Sequence, residues 1–297
     1  MGKFKEQKAR EHQKGFTFVE IILVLVIVGV LSAVIISRTG GRQDVIREQE
    51  QGAPQPSPPS ATPAAYWAFE EGSGTAAQDI SGYGNRGAIS GADWRKEGIG
   101  NYALGFDGEN DCVKVKHSDS LNITADITVE AWIKLSGSPT VFGHDMCVVD
   151  KYRGSNNAGY SLQVDSYYGK DTLGFYLGNN DKTTRLWSRT SLAVGMWYHV
   201  AGVYDGSQMK VYVNGKVENL MGYNGGIASY QDYLFILGEG QELPENTPVT
   251  SSQSYLFIGG SYWSDEAFLQ GVIDEVRIYD RALSAEEISS HAAVEPK

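Results

Sequence analysis

Residues 16–36, FTFVEIILVLVIVGVLSAVII, are an unbroken apolar run of 21 residues in which Glu20 is the only charge. Wound as a helix, such a run is roughly 30 Å long, which matches the hydrocarbon core of a bilayer. Lys3, Lys5, Lys8, Arg10 and Lys14 precede it. By the positive-inside tendency, residues 1–15 stay in the cytoplasm and everything after Ile36 is exported. A cleaved secretory signal fits poorly, because its apolar region spans about 7–15 residues and ends at a small-x-small site, whereas Ser37-Arg38-Thr39 follows here. A plain anchor accounts for the length and the flanking charge but not for Glu20. A carboxylate inside a membrane segment costs roughly 2.5–3.5 kcal/mol on insertion scales, so it requires a partner.

The stretch Lys14-Gly15-Phe16-Thr17-Phe18-Val19-Glu20, followed by the aliphatic run, resembles the prepilin signature of type IV pilins and type II secretion pseudopilins. The resemblance implies that a prepilin peptidase cuts after Gly15 and that the new N-terminal Phe16 is N-methylated. It also implies that Glu20 pairs with the amino terminus of a neighbouring subunit during assembly. Pairing with an ammonium would remove most of the cost of burying that charge in an apolar filament. The implied partners are the peptidase, other pilin or pseudopilin subunits and, before assembly, the membrane. The implied location is the bacterial inner membrane in a single pass with the N-terminus cytoplasmic, the head lying in the periplasm or outside the cell in a pilus or pseudopilus.

Beyond the run the chain turns polar. Gly40-Gly41 loosens a helix, since glycine costs about 1 kcal/mol per helical position relative to alanine, and the charged stretch DVIREQEQ resumes it. Five of the nine prolines, at 54, 56, 58, 59 and 63, then crowd one short segment. They forbid regular helix or sheet and favour an extended, semi-rigid spacer. The expected organisation is a leader at 1–15, an assembly helix at 16–50, a proline-rich linker at 51–65 and a large domain at 66–292. Pilins carry their helix straight into a small head, so this spacer and head suit a minor or tip subunit better than the repeating unit of a shaft.

The large domain reads as mainly β. In ITVEAWIKL, residues 127–135, the positions Ile127, Val129, Ala131, Ile133 and Leu135 share one face. Asn214-Gly215 lies between MKVYV and KV and signals a tight hairpin, because a type I′ turn needs positive φ at both central residues. Ser284 and Glu287 form a capping box for one short helix near the end. The fold class expected is an antiparallel β-sandwich after an N-terminal hydrophobic helix. The blocks AYWAFEEGSG (from Ala65), ALGFDGENDCVKV (Ala103), ITVEAWIKL, GMWYHVAGVYDGSQMKVYVNGK (Gly195), YLFIGG (Tyr255) and GVIDEVRIYDRALSAEEI (Gly271) resemble the laminin-G-like, concanavalin-A-like jelly-roll domains of bacterial surface proteins. The resemblance implies two sheets face to face, with Trp132, Trp197 or the alternating aliphatics between them. It also implies a binding module for carbohydrate or protein, often with calcium.

The loop Asp79-Ile-Ser-Gly-Tyr-Gly-Asn85 offers several oxygen types within seven residues, which suits a hard cation. With Asp274, which the resemblance adds, Asp79 and Asn85 are the expected ligands of a structural calcium. The competing reading is a tight Asx turn beside a surface aspartate. The loop also satisfies GxGxxG, but no strand-to-helix context surrounds it, so a dinucleotide site is not expected. No GxSxG, HExxH or closely spaced acidic strand motif is present, and His117, His144 and His199 stand isolated in sequence, so no enzyme activity is expected. Ligand-contacting residues cannot be singled out among Tyr152, Tyr160, Tyr167, Tyr168, Trp187, Tyr262 and Trp263, although exposed aromatics beside polar groups suit sugar rings. Export permits a disulfide between Cys112 and Cys147, the alternative being two separate thiols. The formal charge of −11 argues against nucleic acid as a partner. The functional expectation is a minor pilin or pseudopilin whose head serves adhesion or binds carbohydrate or a surface polymer. A structural pseudopilin without a glycan ligand and an anchored lectin-like protein that never polymerises remain the alternatives.

Overall fold

The computed structural model describes residues 62–152, 157–167, 169–179, 182–226, 234–236, 241–242, 249–261 and 267–297. Gly15, Phe16 and Glu20 lie outside them, as do residues 1–61 as a whole. None of the described helices is long and apolar enough to cross a membrane.

Period-two alternation organises the described residues into two antiparallel sheets. Their strands are β1 (Ala65–Trp67), β2 (Ala76–Ala77), β3 (Gly87–Ser90), β4 (Asp93–Arg95), β5 (Ala103–Asp107), β6 (Cys112–Val115) and β7 (Ile127–Leu135), then β8 (Met146–Asp150), β9 (Gly159–Tyr167), β10 (Lys170–Asn179), β11 (Lys182–Ser191), β12 (Trp197–Tyr204) and β13 (Gln208–Val213). They end with β14 (Lys216–Val217), β15 (Asn219–Gly226), β16 (Leu234–Ile236), β17 (Gln241–Glu242), β18 (Leu256–Ile258) and β19 (Gln270–Tyr279). One sheet runs β14-β13-β12-β7-β19-β5-β4, with β1 also on β19 and β17 on β13. The other runs β16-β15-β11-β10-β9-β8-β18-β6-β3-β2. This is the expected mainly β sandwich.

The core lies between the sheets and is built from alternating aliphatics. Ile127, Val129, Ala131, Ile133 and Leu135 of β7 meet Leu162 and Val164 of β9 and Leu173, Phe175 and Leu177 of β10. The tryptophan that fills this core is Trp67, fully buried, with its indole N–H donating to the Asn85 carbonyl at 2.8 Å. Trp132 does not fill it, because its position in β7 has the opposite parity. It sits on the outer face, edge-on to His199 with 5.5 Å between ring centroids. Trp197 is only half-buried and lies beneath the Lys134 ammonium.

The local signals translate into geometry. Asn214 and Gly215 have φ of 50° and 76° and join β13 to β14, with Val213 opposite Lys216. The helix Ala285–Ala292 begins at the capping box, Ser284 accepting from the Glu287 N–H and the Glu287 side chain from the Ser284 N–H. Arg281 grips both Glu287 oxygens, at 3.0 and 2.7 Å. A one-turn helix, Pro139–Phe142, also appears.

The disulfide expectation is corrected: Cys112 and Cys147 are both free thiols. Cys112 is in β6 and Cys147 in β8, and β18 pairs with both strands and lies between them. Two strand spacings of about 4.8 Å exceed the Cα separation of about 4.4–6.8 Å that a disulfide spans.

Part of the outer face of the nine-stranded sheet is also buried, under the C-terminal helix, and it holds charge. Glu130 and His199 are fully buried there. Glu130 lies 2.8 Å from His291 Nδ1 of the C-terminal helix, 3.5 Å from His199 Nε2 and 3.6 Å from the Arg277 guanidinium. These contacts are short but poorly angled for hydrogen bonding, so charge more than alignment holds them. Burial by itself raises the Glu130 carboxyl, but His199 and His291 outweigh it and hold it at about 2. An ordinary unfolded glutamate titrates near 4.3. The stabilisation from Glu130 is therefore present above that value and is lost as pH falls toward 2. Glu130→Gln should cost ~3–5 kcal/mol at neutral pH by removing the carboxylate that faces the Arg277 guanidinium and the two imidazoles. In chemical denaturation the gap between wild type and variant should narrow as pH falls from 4.5 to 2.

Candidate functional site

The outer face of the ten-stranded sheet carries the polar and aromatic groups. In β9, Tyr160, Leu162 and Val164 enter the core, which turns Ser161, Gln163 and Asp165 to the other side. Tyr176 of β10 and Trp187 of β11 share that side. Asp165 is buried and accepts from the Tyr176 hydroxyl at 2.5 Å, from the Gln163 amide at 2.6 Å and from the Trp187 indole N–H. Gly174, paired with both Gln163 and Trp187, makes room for it, since a Cβ there would lie 2.4 Å from Asp165 Oδ2. Burial, reinforced by the charge of Asp145, raises the Asp165 carboxyl to about 7 against those three hydrogen bonds. The network fixes two aromatic rings, Tyr176 and Trp187, perpendicular at 6.1 Å. The Arg185 guanidinium lies 4.8 Å over the Tyr176 ring.

Toward β6, β3 and β2 the same face opens into a groove of about 670 Å³, lined by Tyr83, Asn85, Arg86, Ala88, Lys114, Lys116, His117 and Tyr255 among others. That volume is in the range of small-molecule sites. Tyr83 and Tyr255 are 60 % and 40 % exposed, and Lys114 Nζ lies 4.2 Å over the Tyr255 ring. Ala88 pairs with Lys114, which pairs with Phe257, so the small Ala88 side chain leaves open floor beside the lysine. Behind the lip, Lys151 is buried, donates to the Ser254 carbonyl at 2.6 Å and stands 3.1 Å from His117 Nδ1. Burial lowers the Lys151 ammonium to about 8.

Of the expected calcium ligands, the structure brings Asp79 and Asn85 together in one turn. Asp79 accepts the N–H groups of Tyr66, Ser81 and Asn85. Burial raises its carboxyl, but the Ser81 hydroxyl and those amides outweigh that and leave it below the usual range. Asn85 Oδ1 accepts the hydroxyls of Ser118 and Ser120. Asp274 is bonded elsewhere, to the N–H groups of Ile99 at 2.7 Å and Glu275 at 2.8 Å. Among the described residues no three His, Cys, Asp or Glu side chains gather as a metal site. The GxGxxG loop joins β2 to β3 rather than a strand to a helix.

Of the aromatics expected near a ligand, Tyr160 is in the core and Trp187 is bound to Asp165. The Tyr152 hydroxyl donates to Asn157. Tyr168, Tyr262 and Trp263 lie outside the described residues, as does the side chain of Tyr167. His199 is buried beside Glu130, not open to a substrate. The groove residues Tyr83, Arg86, Lys114, Lys116 and Tyr255 escaped sequence reasoning. A signal was present in Val113-Lys114-Val115-Lys116, where alternation buries the valines and aims both lysines outward.

The sequence profile of the prokaryotic N-terminal methylation motif matches residues 10–36, which implies processing, pilin partners and a membrane-anchored N-terminus with an exported head. No curated protein matches the sequence. Among solved structures, domain 4 of AbnA, a GH43 extracellular arabinanase from Geobacillus stearothermophilus in complex with arabinotriose, aligns with TM-score 0.54 and 18% identity over 78% of this chain and 98% of that one. The receptor binding domain of botulinum neurotoxin D aligns with TM-score 0.54 and 16% identity over 78% of this chain and 52% of that one. The botulinum neurotoxin serotype D ligand binding domain in complex with N-acetylneuraminic acid gives TM-score 0.54 and 17% identity over 78% and 50%. The chain thus spans about half the length of the toxin domains, and at these identities the likeness is one of fold. The profile of the concanavalin A-like lectin/glucanases superfamily matches residues 107–250 and 239–289, more than half of the sequence, and the chain belongs to that family.

Proposed function

We propose that the chain is a minor pilin or pseudopilin whose β-sandwich head binds carbohydrate or a surface polymer. The observation that carries the binding reading is the groove. It sets two exposed tyrosines beside the ammonium and guanidinium groups of Lys114, Lys116 and Arg86 in a space sized for a few sugar residues. Tyrosine rings present an apolar face to the C–H surface of a sugar while neighbouring polar groups take its hydroxyls. Membership in a lectin-type family supports this reading, as do fold neighbours held with arabinotriose and with N-acetylneuraminic acid. The pilin reading rests on the register of Gly15, Phe16 and Glu20 with the apolar run.

Mass spectrometry of the mature protein from its native envelope should find an N-terminal peptide that begins at Phe16 and carries one methyl group. A start at Met1 or Gly2 in cells that possess a prepilin peptidase would leave a tethered binding module in place of a filament subunit. On a panel of neutral and acidic oligosaccharides, Tyr255→Ala should weaken binding by about fivefold, the worth of one aromatic contact of roughly 1 kcal/mol. Unchanged affinity would move the site away from the groove. A structural calcium at Asp79, Asn85 and Asp274 is proposed as well, and of these Asp79 and Asn85 share one turn. A melting temperature that rises with calcium in the wild type and not in Asp79→Asn is the expected result, and an identical melting curve in EGTA removes the ion from the proposal.

A further inference from the structure

The charge of the groove runs against that of the chain. The protein carries a formal net charge of −11, yet the groove is lined by Arg86, Lys114 and Lys116 and, among the described residues, by no aspartate or glutamate. Arg86, Lys114 and Lys116 are exposed, and none of them enters an ion pair among the described residues. Lys114 lies in β6 and Lys116 just past its end, both exposed, with their backbones about 6.6 Å apart along an extended chain. The buried Lys151 beside His117 adds a further basic group behind the lip.

Resting on the proposed binding role of the head, we infer that this groove takes an anionic glycan, a sugar bearing a carboxylate of the uronic or sialic type. Tyr83 and Tyr255 would stack on the ring, and Lys114, Lys116 and Arg86 would hold the carboxylate. Cations left without an anionic partner along a cleft whose walls are low-dielectric attract an anion more strongly than the same cations on an open surface. The net charge selects the kind of anion. A densely charged polyanion such as a nucleic acid is repelled by the acidic body over its whole length. A glycan carries isolated carboxylates between neutral groups and meets only the local field, which falls off within a Debye length of about 8 Å.

The test uses the full chain in detergent, with trigalacturonate, its methyl ester and oligo(dT) as probes, and titration calorimetry at low and at physiological salt. Trigalacturonate should bind at least about tenfold more tightly than its ester, since charge-assisted hydrogen bonds are the strong ones, and should weaken with salt. The Lys114→Ala/Lys116→Ala double variant should abolish that preference while keeping the wild-type melting temperature. Lys116→Ala alone should reduce it, and Lys182→Ala, in β11 of the same sheet, should leave it intact. Equal binding of acid and ester, indifferent to the lysine variants, overturns the anionic inference but leaves the glycan-binding role standing. Tighter binding of oligo(dT) than of trigalacturonate also overturns it. If neither these probes nor a panel of neutral and acidic oligosaccharides bind, the binding role itself falls, and this inference with it.

Discussion

The structure depends on the pairing of its last strand. β19 has β7 along one edge and, along the other, β5 at residues 270–273 and then β1 at 276–278. The changeover is a bulge at Asp274–Arg277, where Glu275 takes a φ of 53° and the buried Asp274 carboxylate accepts two backbone N–H groups. Without β19 the nine-stranded sheet falls into separate pieces, because the described strands β5 and β4 reach β7 only through it. Nearly the whole chain must therefore be present before this sheet can close. Such non-local pairing meets its entropic cost before its contacts are gained, which slows folding.

The inner face of the nine-stranded sheet is buried against the facing sheet, and part of its outer face, around β12, is buried under the C-terminal helix. The inner face is apolar and gains from area removed from water. The outer face carries Glu130 with His199, Arg277 and His291 each in contact with it. A buried cluster of this kind contributes little net energy when intact but costs several kcal/mol when one member is removed. It fixes where the C-terminal helix docks more than it adds stability. The ten-stranded sheet keeps its outer face for polar networks and an open groove, so the division of labour between the sheets follows from what covers each one.

Much of this was legible in local sequence. The hairpin at Asn214-Gly215, the capping box at Ser284 and Glu287 and the aliphatic stripe of 127–135 each depend on residues within a few positions of one another. Trp132 was legible too, since its parity in β7 already placed it off that stripe. The relation of Cys112 to Cys147 was not, because the strand that separates them, β18, comes more than a hundred residues after Cys147. The groove was hidden for the same reason. Tyr83, Lys114 and Tyr255 are brought together by the pairing of β3, β6 and β18, and no local pattern records that pairing. The Glu130 cluster joins four elements and left only isolated histidines in the sequence.

The short strand β1 carries a mechanical consequence. It begins at Ala65, just past the proline-rich spacer, and runs antiparallel to β19 with Ala65, Tyr66 and Trp67 opposite Ile278, Arg277 and Val276. In a head tethered through its N-terminus and held at its groove, tension enters the domain at that strand. A pull directed along the strand loads its three pairings together in shear instead of opening them one by one. Trp67, anchored in the core immediately behind, acts as a stop against slippage. In such a head the load would pass from β1 through β19 into the nine-stranded sheet, and across the core to the sheet that bears the groove.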